Sequence, residues 1–252
     1  MRVSRIYLAV LAISPVSAYA TPISVNLGTV ASFAILGAST VTNTGNTVLF
    51  GDLGLYPGTS ITGFPPGIVN GTTDDTDGVA MQAQADALTA YNFAPGEAVT
   101  QNLTGTELGG LTGTLTLNDE GNSNAVFIFQ IGSTLTTGSG DGSSVVFINN
   151  GQGGSVTWQV GSSTVVGTAT AFAGTIIANT GITLDHDATI DCGTALNGAV
   201  TMDTNTVSIT DTAGCLAISQ GVPQPSTASL LLLIGAPGLL WLRKTRLEQQ
   251  SK

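Results

Sequence analysis

The stretch from Asn124 to Leu184 constrains the chain most, because it keeps returning to two kinds of short strand. Val126-Phe127-Ile128-Phe129, Val145-Val146-Phe147-Ile148 and Thr175-Ile176-Ile177-Ala178 are apolar at successive positions, as strands must be when both faces are covered. Between them, Ser133-Thr134-Leu135-Thr136, Ser163-Thr164-Val165 and Thr180-Gly181-Ile182-Thr183-Leu184 alternate an aliphatic residue with a small hydroxyl residue, the pattern of a half-exposed strand. Gly and Asn stand at the corners. A chain that repeatedly visits one doubly covered face and one threonine-lined face predicts a mostly β fold, an irregular β-solenoid whose coils return at uneven intervals.

Upstream, Thr29 to Thr47 opens the solenoid, with Val41 predicted inward and Thr40 and Thr42 outward. Gly51 to Gly71 sets Pro57, Pro65, Pro66 and several glycines between short apolar pieces, which demands turns rather than long strands. Asp74-Asp75-Thr76-Asp77-Gly78 is reminiscent of a calcium loop. Counted from Thr73, however, Gln84 stands where such a loop requires a bidentate Glu. The acidic cluster is better read as capping and charging the N-terminus of a helix over about 77–92. Val79, Ala83, Ala87, Ala90 and Tyr91 recur on one narrow face of it. At about 1.5 Å per residue the helix reaches about 24 Å, enough to cross roughly five coils about 4.8 Å apart. It is therefore expected to cover the sheet that holds Val126 to Ile131.

Charge excludes several function classes. The six Lys and Arg are Arg2, Arg5, Arg243, Lys244, Arg246 and Lys252, all near the two ends, whereas only Glu248 of the 16 acidic residues lies in the C-terminal tail. The part between is acidic throughout and has no cation beyond His186. Such a surface repels phosphate backbones and anionic headgroups, which argues against nucleic-acid partners. Nor can it supply a Schiff-base lysine or an arginine clamp.

The ends carry addresses. Arg2 and Arg5 precede the apolar run Ile6 to Val16 and the small-x-small site Ala18-Tyr19-Ala20, so residues 1–20 are read as a secretory signal. A single domain is expected over 21–220. After Gln224 and Pro225, Leu230 to Leu242 is apolar apart from Gly and Pro, and Arg243-Lys244-Thr245-Arg246 follows. The run reaches only about 20 Å against a hydrocarbon core of about 30 Å. Residues 221–252 resemble the Pro-Glu-Pro C-terminal sorting signal (PEP-CTERM) of Gram-negative bacteria, with Gln224 in place of the usual Glu. That resemblance implies a sorting protease as partner and a secreted or cell-surface destination. Cys192 and Cys215 are the two cysteines of this exported chain, and one disulfide between them would contribute about 3 kcal/mol in the chain-entropy model.

NAVFIFQIGSTLTT, VTWQVGSS and GDLGLYPGTSITGFPPG resemble the signature segments of the secreted microbial ice-binding proteins. The resemblance runs from about Leu27 to about Ile209. It implies a discontinuous right-handed β-solenoid with one α-helix packed along it, and adsorption to ice. It also implies Thr-Ala/Gly-x-Thr/Asn pieces on the ice-binding face, which Thr44-Gly45-Asn46-Thr47, Thr180-Gly181-Ile182-Thr183 and Thr194-Ala195-Leu196-Asn197 match. The chain departs from the family where Gly110-Leu111 runs directly into Thr112-Gly113. Relatives carry another strand there, so either a coil is incomplete or neighbouring strands fill it.

Little else carries chemistry. His186 sits in Leu184-Asp185-His186-Asp187, where alternation would turn Asp185 and Asp187 outward and His186 the other way, with no nucleophile oriented by it. No second His is present for zinc. Asp185, Asp187, Asp191 and Asp203 are candidates for the paired carboxylates of a glycan hydrolase or for an accessory calcium ion. Against a sugar cleft, Trp158 is the one tryptophan of the domain and lies in an apolar strand. Threonine is the abundant feature. On strands about 4.8 Å apart, outward Thr side chains form an array of methyls that order water and hydroxyls that hold it. The candidate ice-facing residues are Thr40, Thr42, Thr44, Thr47, Thr134, Thr136, Thr164, Thr168, Thr170, Thr180, Thr183, Thr194 and Asn197. The expected function is thus a non-enzymatic, monomeric ice-binding protein acting outside the cell, with no cofactor or metal. The alternatives are an envelope or matrix protein associated with exopolysaccharide, and the hydrolase.

Overall fold

The computed structural model describes residues 25–93, 101–102, 109–118, 120, 122, 125–138, 143–148, 155–191, 195–196 and 198–209. The expected signal segment 1–20, the sorting segment 221–252, the pair Cys192 and Cys215, and Thr194 and Asn197 lie outside the described residues. The chain divides into two units, Met1–Ala217 and Ile218–Lys252. Everything described belongs to the first.

The strands form three parallel sheets, two of seven strands and one of eight. Each coil lays one strand on each sheet, A, B and C, in turn. Coil one is Phe33–Gly37, Thr40–Thr44 and Val48–Phe50, and coil two is Asp52–Leu55, Ser60–Thr62 and Ile68–Asn70. Thr73–Asp75 then adds a last strand to sheet A, and the helix Gly78–Phe93 follows. Coil three is Gln101–Asn102, Gly109–Leu111 and Thr114–Asn118, and coil four is Val126–Ile131, Leu135–Thr137 and Ser144–Ile148. Coil five is Ser155–Val160, Ser163–Val166 and Ala171–Ala173, and coil six is Thr175–Ala178, Gly181–Leu184 and Thr189–Asp191. Coil seven is Ala195–Leu196, Ala199–Asp203 and Thr206–Ser208. The spatial order is not the chain order. In all three sheets coil one lies between coil two and coil seven, so the stack reads two, one, seven, six, five, four, three.

The helix carries the chain from one end of this stack to the other. Asp77 precedes it as a cap, its Oδ1 accepting from the backbone N–H of Val79 at 2.9 Å and of Ala80 at 2.8 Å. The buried face is Ala80, Ala83, Ala87 and Ala90, the last three packed with Phe33, Leu36, Ile128 and Ile177 of sheet A. Val79, expected on this face, is instead 49% exposed, because an Asp77 cap rotates Ala80 into register with the other alanines. Gln84 Nε2 donates to the Gly37 carbonyl at 2.8 Å, and Gln159 Nε2 to the Tyr91 carbonyl at 3.2 Å. Asp86 ties the helix to the 3-10 turn Gly28–Ser32 by accepting from the Thr29 N–H and hydroxyl, both at 2.8 Å. Burial pushes the Asp86 carboxyl up, but these bonds and one from Gln82 outweigh it and hold the group below its ordinary value.

Inside the coils, Trp158 is fully buried, stacked on Phe129 with centroids 4.1 Å apart and tilted against Phe172. Its Nε1–H donates to the Ala173 carbonyl at 2.9 Å. Val145 to Ile148, read as covered on both faces, lies in sheet C and not under the helix. Val146 and Ile148 are exposed on its outer face. Among the described residues, the short region near Leu111 still places one strand on each of the three sheets. Thr112 and Gly113 form the corner between Gly109–Leu111 on sheet B and Thr114–Asn118 on sheet C, and the register shifts at Gly110, which bulges between the pairings of Gly109 with Thr136 and Leu111 with Thr137.

At the corner between sheets B and C the interior is polar and hydrogen-bonded. Asn205 Nδ2 donates to the carbonyls of Asp185 at 2.7 Å and Ala188 at 3.1 Å, and the Asn205 backbone N–H donates to Thr47 Oγ1 at 3.0 Å. Thr47 donates to Asn43 Oδ1, whose Nδ2 donates to the carbonyls of Gly45 and Gly63. One chain of bonds thus links coils six, seven, one and two across the point where chain order breaks. In coils four and five the Thr137 and Thr170 hydroxyls pair at 2.9 Å. The same corner needs a left-handed residue in most coils: Gly45, Gly63, Gly113, Ala169, Asp187 and Thr204 all have φ between 56° and 94°.

Candidate functional site

Two sheets carry outward columns of small residues in register among the described residues. On sheet C the column Thr114, Ser144, Ala171, Thr189 and Thr206 passes into Val48 and Ile68, and the same sheet exposes Phe50 and Asp191. On sheet B the central column stays small and uncharged from coil two to coil four. Pairing places Thr62 beside Thr42, Thr42 beside Thr201, Thr201 beside Thr183, Thr183 beside Val165, and Val165 beside Thr136. At about 4.8 Å per strand this column is about 24 Å long. Behind it the inward column is Ile61, Val41, Val200, Ile182, Thr164 and Leu135, paired in the same order. That aliphatic backing holds the outer column to the pleat.

A second outward column stands two residues earlier on each strand, about 6.7 Å away. It has Ser60 and Thr40 at one end and Ser163 toward the other, with Ala199 and Gly181 between. The face offers methyl and hydroxyl groups in alternation with small gaps. Thr201 Oγ1 donates to Thr183 Oγ1 at 3.1 Å, so part of the hydroxyl row is bonded to itself and aligned. Charge begins at the margin, where Thr44 pairs with Asp203.

Of the residues expected from sequence, Thr40, Thr42, Thr44, Thr136 and Thr183 project from sheet B, and Thr134 and Thr180 are exposed just before their strands. Thr168 lies at the corner turn after Ser163–Val166, half-buried and off the column. Thr47, Thr164 and Thr170 face inward, at 0%, 0% and 1% exposure. Thr47 and Thr170 belong to the polar corner. Thr164 takes the opposite phase to the one its sequence predicts, because Val166 packs inward opposite Leu184 and forces Thr164 in and Val165 out. Sequence reasoning missed Thr62, Thr201 and Val165. The alternations Ser60-Ile61-Thr62 and Val200-Thr201-Met202 carried the signal for the first two.

The turn after Leu184 breaks the alternation expected for Asp185, His186 and Asp187. Asp187 takes φ 58°, so His186 and Asp187 are both exposed, with Nε2 3.4 Å from Asp187 Oδ2. His186 Nδ1 lies 3.2 Å from Asp203 Oδ2. Asp191 stands apart at the end of a sheet C strand. Among the described residues, no group of three or more His, Cys, Asp or Glu is placed to hold a metal ion, and no helix is long and apolar enough to cross a membrane.

Comparison with known proteins follows this geometry. A family model described as ice-binding-like matches residues 35–208. The chain is 44% identical over 270 residues to an ice-binding protein of Nostoc sp. (strain HG1), covering 98% of each. The crystal structure of an ice-binding protein from the Antarctic ascomycete Antarctomyces psychrotrophicus superposes with a TM-score of 0.69 at 34% identity, over 75% of this chain and all of that one. One from an Antarctic biological consortium gives 0.65 at 41%, over 75% and 93%. A match through the body of the solenoid, and a relative alike from end to end, establish that this chain belongs to the ice-binding-like family.

Proposed function

We propose that this protein adsorbs to ice through the outward face of sheet B and so limits ice growth or recrystallisation outside the cell. The observation that carries the reading is the in-register column Thr62, Thr42, Thr201, Thr183, Val165 and Thr136. Each methyl orders neighbouring water and each hydroxyl holds one water by a hydrogen bond, and many such weak contacts made together on a rigid plane release slowly. The relatives named as ice-binding proteins support the same reading. The face has no Lys or Arg, whose long hydrated side chains would roughen it.

The protein acts by adsorption, without a catalytic step, and as a monomer. Residues 1–20 direct export, residues 221–252 direct sorting at the envelope, and Cys192 pairs with Cys215 in the oxidising space that follows. The test is recrystallisation inhibition by wild type, Thr42→Tyr and Thr201→Tyr, each with a circular dichroism melt. The two variants should lose at least tenfold in activity while melting as wild type does. Full activity in both, with both folded, refutes sheet B as the ice face. A folded wild type with no activity moves the function to the envelope or matrix alternative.

A further inference from the structure

The sheet B face repeats regularly in one direction only, and we infer that this restricts the protein to ice planes containing rows along the a axis: the basal plane, the primary prism plane and the pyramidal planes between them. The inference rests on the proposed adsorption through sheet B. Along the stack the central column runs without a break from Thr62 to Thr136. Its step is the strand spacing, about 4.8 Å, within a tenth of the shortest lattice repeat of hexagonal ice, which lies along a. Across the stack there is no comparable repeat. The neighbouring column loses its hydroxyls at Ala199 and Gly181 in the middle of the face, and on the other side Thr44 stands beside the charged residue Asp203 on the paired strand, its own hydroxyl donating to the Met202 carbonyl.

A surface with one matched direction accepts any plane in which that row occurs, because the spacing between rows is not tested by a second continuous column. The secondary prism plane contains no a-axis row. An adsorbed molecule should therefore lie with its stack axis parallel to a and leave the secondary prism plane bare. Val165 is the single interruption of the hydroxyl row. It keeps a methyl in the correct place, so it weakens the row without altering its direction.

The test uses the full chain labelled with an amine-reactive dye, whose targets are the N-terminus, Lys244 and Lys252. Single ice crystals of known orientation are grown in its presence and imaged by fluorescence. Wild type should label patches centred on basal, primary prism or intervening pyramidal planes and leave the secondary prism plane dark. Val165→Thr should label the same planes at least twofold more strongly. Labelling centred on the secondary prism plane, or a change of planes in Val165→Thr, overturns the inference while leaving adsorption intact. Absence of labelling on every plane by folded wild type sinks the adsorption reading itself.

Discussion

Thr164→Val should make the protein more stable, and its size can be worked from the surroundings of one hydroxyl. Thr164 is fully buried, paired between Leu135 and Ile182 in the inward column of sheet B. Its Oγ1 finds no hydrogen-bond partner among the described residues. Burying an unpaired hydroxyl costs about 1–3 kcal/mol in proteins. Valine has the same branched outline, so it removes that cost without a cavity and keeps the preference for strand. The net gain should be about 1–2 kcal/mol. For a domain of this size each kcal/mol moves Tm by about 2–4 °C, so a rise of about 2–8 °C is expected. Urea unfolding followed by circular dichroism gives the same comparison at equilibrium, with m unchanged. Recrystallisation inhibition should not change, since the side chain does not reach the face. A midpoint equal to or below wild type would show that the hydroxyl is satisfied, and loss of ice activity would show that it points outward.

Three further substitutions probe separate features. Asp74 is 7% exposed beneath the helix N-terminus. Burial, then the charges of Asp77 and Asp52, then a hydrogen bond with Asp77 raise its pKa above 3.8. The folded state therefore holds this proton more tightly than the unfolded one, and the ionised group destabilises at neutral pH. Asp74→Asn should raise the urea midpoint at pH 7, with the gain shrinking as pH falls toward the ordinary carboxylate range; a gain independent of pH refutes this. Ala169→Gly should stabilise by about 0.5–1 kcal/mol, because the left-handed conformation costs a non-glycine residue about 1–2 kcal/mol and glycine returns part of that in the unfolded chain. A lower midpoint would show that φ 58° at Ala169 is not strained. Asn205→Ala removes a buried side chain that serves the Asp185 and Ala188 carbonyls and the Asp203 N–H. The expected loss is about 3 kcal/mol or more in urea unfolding, and a loss under about 1 kcal/mol would refute the corner as a structural spine.

The sequence revealed what is local in this fold and concealed what is assembled. Alternation in Thr40-Val41-Thr42 and Ile182-Thr183-Leu184 gave the inward and outward sides correctly, because each aliphatic residue there is flanked by polar or small ones. In Ser163-Thr164-Val165-Val166 two valines compete for the core, and only pairing of Val166 with Leu184 decides between them. Val145 to Ile148 misled for the opposite reason. An apolar run reports helix cover only if exposed aliphatics are absent, and sheet C leaves Val146 and Ile148 in solvent. The corner residues Thr47 and Thr170 match the composition of an ice-facing threonine, yet their hydroxyls serve neighbouring backbone or side-chain groups. The outer column could not be read off at all as a column. Thr42 and Thr201 are neighbours on it, and no periodicity within either segment announces a partner so far along the chain.

The position of coil one against coil seven also sets the order in which the chain can become a protein. Phe33–Gly37 pairs with Ala195–Leu196, Thr40–Thr44 with Ala199–Asp203, and Val48–Phe50 with Thr206–Ser208. Coils three to seven can stack as neighbours in sequence as they are made, and coil one can pair with coil two, but the other edge of coil one has no partner until almost the last strand exists. Closing so long a loop is slow, since its entropy is lost before any of these pairings rewards it. The N-terminal coil pair therefore joins the rest of the stack last, so a chain stopped short of coil seven would be left in two separate pieces.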